Sequence, residues 1–161
     1  MKKAFCLLLA LSFFLSACHV LGEPLKDPVT FYYINSEYEY FSQEGIITSE
    51  QRDASGHRND LPYLLALYMM GPAEEGLESP LPKGVMLFKA EESEEGILIH
   101  ISSHDTMTDA SFSLSCACLA LTCFDITDAS SVTVNSGDRS ITLTRDTISL
   151  FDSSIAAEES P

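Results

Sequence analysis

Three cysteines, Cys116, Cys118 and Cys123, fall inside one apolar stretch, and thiols so close together raise the question of a metal site or a disulfide. The spacing argues against both. On a helix, positions i and i+2 point about 200° apart, so Cys116 and Cys118 cannot grip one ion or bond to each other. Cys116 and Cys123 share a face but lie two turns apart, about 10 Å, which exceeds disulfide reach. No Cys-x-x-Cys pair occurs, so the usual zinc signature is missing. The expected role is that of buried small hydrophobes. His57, His100 and His104 offer a base to a Ser or Cys nucleophile. Yet no Gly-x-Ser-x-Gly, Ser-x-x-Lys or His-Glu-x-x-His accompanies them, and surface or capping positions are expected. Glu91, Glu92, Glu94 and Glu95 lack the Asp-x-Asp-x-Asp-Gly order of a calcium loop and read as a solvated turn. No catalytic residue, metal or cofactor is expected.

The residue with the clearest chemistry is Cys18. Lys2 and Lys3 precede an uncharged apolar run, Ala4 to Phe14, which closes on Leu15-Ser16-Ala17-Cys18. This pattern is that of a secretory signal too short to stay in a membrane. Its last four residues resemble the processing site of a bacterial lipoprotein. Residues 1–17 are then a signal peptide, and the Cys18 thiol would carry diacylglycerol. Acyl chains at about 0.8 kcal/mol per buried methylene hold a protein firmly to a bilayer. The expected location is the extracytoplasmic face of the cell membrane.

Removal of the signal leaves 144 residues with 7 cations against 24 acids, a formal charge of −17 compared with −15 for the whole chain. That length suits one domain with a sizeable core. The charge excludes nucleic acid as a partner class, since phosphate binding needs clustered Lys and Arg. It also disfavours adsorption to anionic head groups, which leaves anchoring to the lipid.

The elements that would carry these residues follow from periodicity. Residues 18–27, with Gly22 and Pro24, read as a tether. Pro28 opens VTFYYIN, a strand rich in β-branched and aromatic residues, and Ile46-Ile47-Thr48 predicts a second strand beside it. Asp53 to His57 is a polar break. Asn59 or Asp60 can cap a helix whose buried face is Leu61, Leu64, Leu65, Tyr68 and Met69, ended by Gly71-Pro72. A Gly- and Pro-dense loop runs to Gly84. Val85 to Ala90 and Gly96 to Ser102 predict a hairpin, Ser111 to Phe124 a buried helix, and Val132–Val134 with Ile141–Thr144 a second hairpin about Asn135-Ser136-Gly137-Asp138. The order β-β-α-β-β-α-β-β implies an α+β fold, with two helices on one face of a mostly antiparallel sheet. The domain would span residues 28–151, followed by an acidic, disordered tail at 152–161.

At Leu61 to Gly84 the chain resembles the sporulation and spore-germination, or GerMN, domain family. The helix and Gly-Pro read LPYLLALYMMGP, and the Gly-Leu-x-Ser-x-Leu-Pro-x-Gly loop reads GLESPLPKG, from Gly76 and Leu77 through Leu81-Pro82 to Gly84. VTFYYI before it, and GILIHIS and SVTVNSG after it, agree with the family's order, so the resemblance covers about Val29 to Phe151. Departures are Ile99-His100-Ile101-Ser102 where members often carry Val-Asp-Leu-Ser, and cysteines where aliphatic residues are usual. The resemblance implies a lipid-anchored envelope protein of a spore-forming bacterium that acts by binding rather than catalysis. Its domain would be similar to ring-building modules of sporulation complexes.

Gly71, Pro72, Gly76, Leu77, Leu81, Pro82 and Gly84 are the candidate recognition loop. The plainer reading is that they only join a helix to a strand. Expected partners are the membrane, through Cys18, and envelope or sporulation proteins. Self-association through a strand edge is a further expectation, opposed by the repulsion of like charges. The competing functions are a vegetative wall-associated enzyme, a ligand-binding lipoprotein, or an accessory to a membrane sensor.

Overall fold

A computed structural model describes residues 24–37 and 45–148. The signal peptide, Cys18, the first part of the tether, most of Glu37 to Phe41, and the domain's expected end at Phe151 with the tail all lie outside these residues. The element order is β1 (Pro28–Asn35), β2 (Ile47–Asp53), α1 (Leu61–Met69), β3 (Leu77–Glu78), β4 (Leu87–Ser93), β5 (Gly96–Ile101), α2 (Asp109–Ile126), β6 (Ser131–Ser136) and β7 (Arg139–Thr144).

The α+β class and the mostly antiparallel pairing are as expected. The strands do not form one sheet, however. They divide into β2-β1-β3 and β4-β5-β6-β7. Within the second sheet β5 and β6 run parallel, and α2 supplies the long connection that parallel neighbours need. Two differences are local. The strand expected at Ile46-Ile47-Thr48 is β2, which continues through the polar SEQRD to Asp53, the first residue of the expected break, and a two-residue strand, β3, lies inside the predicted loop and pairs with Ile34 and Asn35.

The division has a physical cause at β1. Beyond its short pairing with β3, one edge of β1 faces α2 instead of a strand. Thr122 Oγ1 accepts a hydrogen bond from the Tyr32 N–H at 3.0 Å, and Asp125 Oδ2 accepts from the Thr30 N–H at 3.3 Å. Helix positions three apart thus match strand positions two apart. Tyr68 of α1 adds its hydroxyl to the Tyr32 carbonyl at 3.0 Å. Side chains of two helices therefore satisfy groups that a neighbouring strand would otherwise pair, and no open template is left there.

α1 begins as its sequence predicts. Asp60 Oδ1 accepts from the Tyr63 N–H at 3.1 Å, and Pro62 sits in the first turn. The predicted stripe is buried at Leu61, Leu64, Leu65 and Tyr68. Tyr68 stacks on Tyr33 at 4.8 Å and meets Phe31 edge-on at 5.9 Å. α2 is capped by Thr108, which accepts from the Ser111 N–H at 3.2 Å. By length and composition α2 is apolar enough to cross a membrane. Here it is the core helix, with Phe112, Cys116, Leu119, Ala120 and Cys123 buried together with Ile99, Val132 and Val134.

The chain enters at one end, where Pro28 pairs with Asp53. β1 carries it about 23 Å to Asn35 at the far end. α2 runs the other way, since Asp125 lies beside Thr30 while Arg139 of β7 reaches Met107 and Phe112 near the start of α2. Ser136, Ile101 and Leu87, paired in register with Arg139 and with one another, are therefore also at the far end.

Candidate functional site

The 71–84 loop starts beside Glu50 and Arg52 of β2, which pair with Phe31 and Val29, and reaches the far end at Leu77, paired with Asn35. Its shape begins with Gly71, whose φ of +87° closes α1 in a conformation that side chains resist. Gly76 and Gly84 take positive φ as well. The loop is then fixed by two residues to which the sequence reading gave no role. Glu50 and Arg52 lie on one face of β2 and pair at 2.5 Å, with side chains 1% and 15% exposed. The Glu50 carboxylate accepts the N–H groups of Ala73 at 2.9 Å and Glu74 at 2.8 Å, directly after Pro72. The Arg52 guanidinium donates to the Gly71 carbonyl and, at 3.5 Å, to the Leu67 carbonyl, and lies over the Phe31 ring. An anion thus holds the N–H groups that leave the helix and a cation holds its last carbonyls.

Further along, Ser36 N–H donates to the Gly76 carbonyl at 2.9 Å. Ser115, fully buried on α2, donates to the Pro80 carbonyl at 2.6 Å. Val85 N–H closes a turn onto Pro82 at 3.2 Å. Of the predicted recognition residues, Leu81 is buried and Leu77 packs against the core. Gly71, Pro72, Gly76 and Pro82 are half-buried, and Gly84 is exposed. These residues build the loop. What they present to solvent is Ala73, Glu74, Glu75, Glu78 and Lys83.

The most exposed large apolar side chains flank this loop. Met70 precedes Gly71 and is 80% exposed, while Met86 and Phe88 follow Gly84 at 57% and 66%. Phe88 has no partner in the β4–β5 register, because Leu87 pairs with Ile101 and Lys89 with His100. The register shifts at this residue, a break in the ladder of the kind that re-aims a side chain.

Elsewhere the chemistry is closed. Cys116, Cys118 and Cys123 are free and buried, and burial pushes each thiol up to about 12. A thiol so protonated is a poor nucleophile and a poor ligand. His57 stacks on Tyr63 at 4.2 Å, and His104 Nδ1 accepts the Thr106 N–H at 3.3 Å, which caps a turn. Among the described residues no group of three His, Cys, Asp or Glu side chains is placed to hold a metal. The four arginines serve backbone carbonyls: Arg52 as above, Arg58 at Pro28, Arg139 at Met107, and Arg145 at Phe124, Thr127 and Ala129. They form no basic face.

No family model matches the chain, and no curated protein matches it. Solved structures similar to it include two of note. One is a candidate lipoprotein from Clostridium perfringens, 15% identical with a TM-score of 0.45, the match covering 79% of this chain and 94% of that one. The other holds the tandem GerMN domains of the sporulation protein GerM from Bacillus subtilis, 18% identical with a TM-score of 0.49, covering 74% of this chain. This chain spans 43% of that tandem structure, less than half its length. The likeness is one of fold.

Proposed function

We propose that the protein is a non-catalytic envelope lipoprotein, fixed to the outer face of the cell membrane through Cys18, whose GerMN-like domain docks other proteins during sporulation or spore germination. The signal and Leu15-Ser16-Ala17-Cys18 support the anchor, and LPYLLALYMMGP with GLESPLPKG supports the domain type. The observation that carries the docking role is the 71–84 loop. Glu50, Arg52 and Ser115 hold it in one shape. A rigid loop loses little conformational entropy on binding.

Deletion of the gene in its own host, with complementation by wild type and by Cys18→Ala, tests this reading. A sharp drop in heat-resistant spores that only the lipidatable form restores is the expected result. Normal spore counts in the deletion strain would assign the protein to vegetative growth.

A further inference from the structure

We infer that the outer edge of β2 is a docking edge, and that its occupant is an extended segment of another protein with Lys or Arg at every second position. This inference rests on the docking reading and names its surface and partner chemistry.

The register fixes which backbone groups are open. β2 is the outermost strand of its sheet, and among the described residues it pairs with β1 alone. Asn35 N–H donates to the Ile46 carbonyl at 2.9 Å and Ala54 N–H to the Asp27 carbonyl at 2.8 Å, one bond at each end of that ladder. Opposed antiparallel residues alternate between pairs that exchange hydrogen bonds and pairs that do not. Ile46, Thr48, Glu50, Arg52 and Ala54 therefore turn their N–H and C=O groups to β1, while Ile47, Ser49 and Gln51 turn theirs outward. β1 obeys the same alternation. Its Thr30 and Tyr32 face away from β2, and these are the groups that α2 and Tyr68 engage. Among the described residues nothing does the same for Ile47, Ser49 and Gln51. Their backbone groups line about 13 Å of open edge, and the Ser49 and Gln51 side chains are exposed.

Sheet edges are commonly blunted by charge, proline, irregular pairing or shortness. β4 carries Lys89, Glu91 and Glu92 and a register shift, and α1 packs against it. β3 has two residues. β2 runs seven residues in unbroken register without proline, and its Glu50 and Arg52 are engaged by each other and by the start of the 71–84 loop. β7 is the other regular edge. What distinguishes β2 is the loop beside it.

That loop selects the occupant. The Glu50 carboxylate accepts the Ala73 and Glu74 N–H groups at 2.9 and 2.8 Å, which sets Glu74 and Glu75, both exposed, beside one face of the outermost strand. Ile47, Ser49 and Gln51 occupy the opposite face, because side chains alternate along a strand. A segment laid along the edge would turn every second side chain to the acids and the rest to a neutral row. Lys or Arg on the acid side complements that border. A second copy paired edge to edge would bring its own Glu74 and Glu75 to the same side, where like charges repel.

The test uses the mature chain from residue 18, prepared without lipid as Cys18→Ala. Its probes are short synthetic peptides of alternating Thr and Lys or alternating Thr and Glu, with Thr/Lys forms N-methylated at every Thr or at every Lys. The Thr/Lys peptide is expected to bind at least tenfold more tightly than Thr/Glu. Methylation at Thr, whose N–H groups would face β2, should weaken it at least tenfold, and methylation at Lys should leave it unchanged. In amide exchange, Ile47, Ser49 and Gln51 should be fast in the free protein and protected by saturating Thr/Lys peptide, with Thr48, Glu50 and Arg52 slow throughout. Ser49→Pro removes an outward N–H and spares the β1 ladder. It should cost at least tenfold in binding, as should Glu74→Lys with Glu75→Lys, while Ser49→Ala and Thr142→Pro on β7 should change nothing. Thermal unfolding of each variant confirms the fold. Unchanged exchange at Ile47, Ser49 and Gln51, or equal binding of the Thr/Glu peptide, overturns the inference. Binding lost in Thr142→Pro and kept in Ser49→Pro overturns it by moving the site to β7. Dimerisation in sedimentation that Ser49→Pro abolishes overturns it by making the occupant a second copy. Protection of the edge alongside normal spore counts would remove the sporulation role and keep the edge; an unprotected edge with defective spores would do the reverse.

Discussion

The C-terminal ends of the two helices are built from the same parts and finished differently. At the entry end, Arg145 closes the last turn of α2 on the Phe124 and Thr127 carbonyls and lies 4.9 Å over the Phe124 ring. Around it are Arg58, Asn59, Glu92 and Asp128, a polar cleft bordered by Leu61 and Ile126. On β2, Arg52 closes the last turn of α1 in the same way over Phe31, yet Met70, the next residue of that helix, is left in water. Both ends solve the problem of orphan carbonyls with a guanidinium on a phenyl ring. They differ only in what surrounds the solution. Structural need therefore accounts for the arginines at both helix ends and leaves the exposed Met70 beside one of them without a structural role.

The comparison breaks most easily at Glu50. Glu50→Ala leaves a guanidinium and two N–H groups without their anion, and removing one partner of a buried pair costs about 3–5 kcal/mol. Urea unfolding should report that loss, and amide exchange should rise first at Ala73 and Glu74. If exchange rises equally at the entry end, the clamp is not local. Thr122→Val is expected to cost about 1 kcal/mol by removing the hydroxyl that accepts from the Tyr32 N–H. Ser115→Ala, which frees the Pro80 carbonyl, should cost about 1 kcal/mol and loosen only the 71–84 loop.

A pH series sharpens the account of the core. Burial raises the thiols of Cys116, Cys118 and Cys123 from 9.0 to about 12. Above 9 the unfolded chain releases these protons and the folded chain keeps them, so the unfolded state binds fewer and stability falls as pH rises. Urea midpoints should hold steady below that range and drop between 9 and 12, and a triple Cys→Ala variant should show a shallower drop. The smallest effect belongs to the exposed side chains. Met70→Ser and Phe88→Ser should each change stability by no more than about 0.5 kcal/mol, as expected for surface positions, and a larger loss would show that these side chains are structural.

Local features of the fold were legible because their causes are local. The Leu61-Leu64-Leu65-Tyr68 stripe, the Asp60 cap and the Gly71 turn each depend on residues within a few positions of one another. The β6–β7 hairpin followed from its turn for the same reason. The split into two sheets was not legible, since it depends on Thr122 and Asp125 meeting a strand about 90 residues earlier in the chain. β3 is two residues long and exists only because β1 offers Ile34 and Asn35. The loop's outline was readable in its glycines and prolines, but the clamp was not: Glu50 and Arg52 alternate with polar neighbours in ITSEQRD, and their partners lie 15 to 24 residues away. Two signals could have found the exposed Met70 and Phe88. Met70 falls one residue past the buried stripe of α1, and Phe88 sits in a segment whose apolar alternation breaks at VMLFKA.

The most direct test of the account places a photo-reactive phenylalanine at one position at a time in the lipidated protein in its own cells. Ser49 and Gln51 report on the β2 edge, and Tyr63 and Glu94 on the entry end. The account predicts one polypeptide adduct shared by positions 49 and 51, absent at 63 and 94, and abolished by Glu74→Lys with Glu75→Lys. Equal adducts at all four positions, or adducts from the entry end alone, would contradict it.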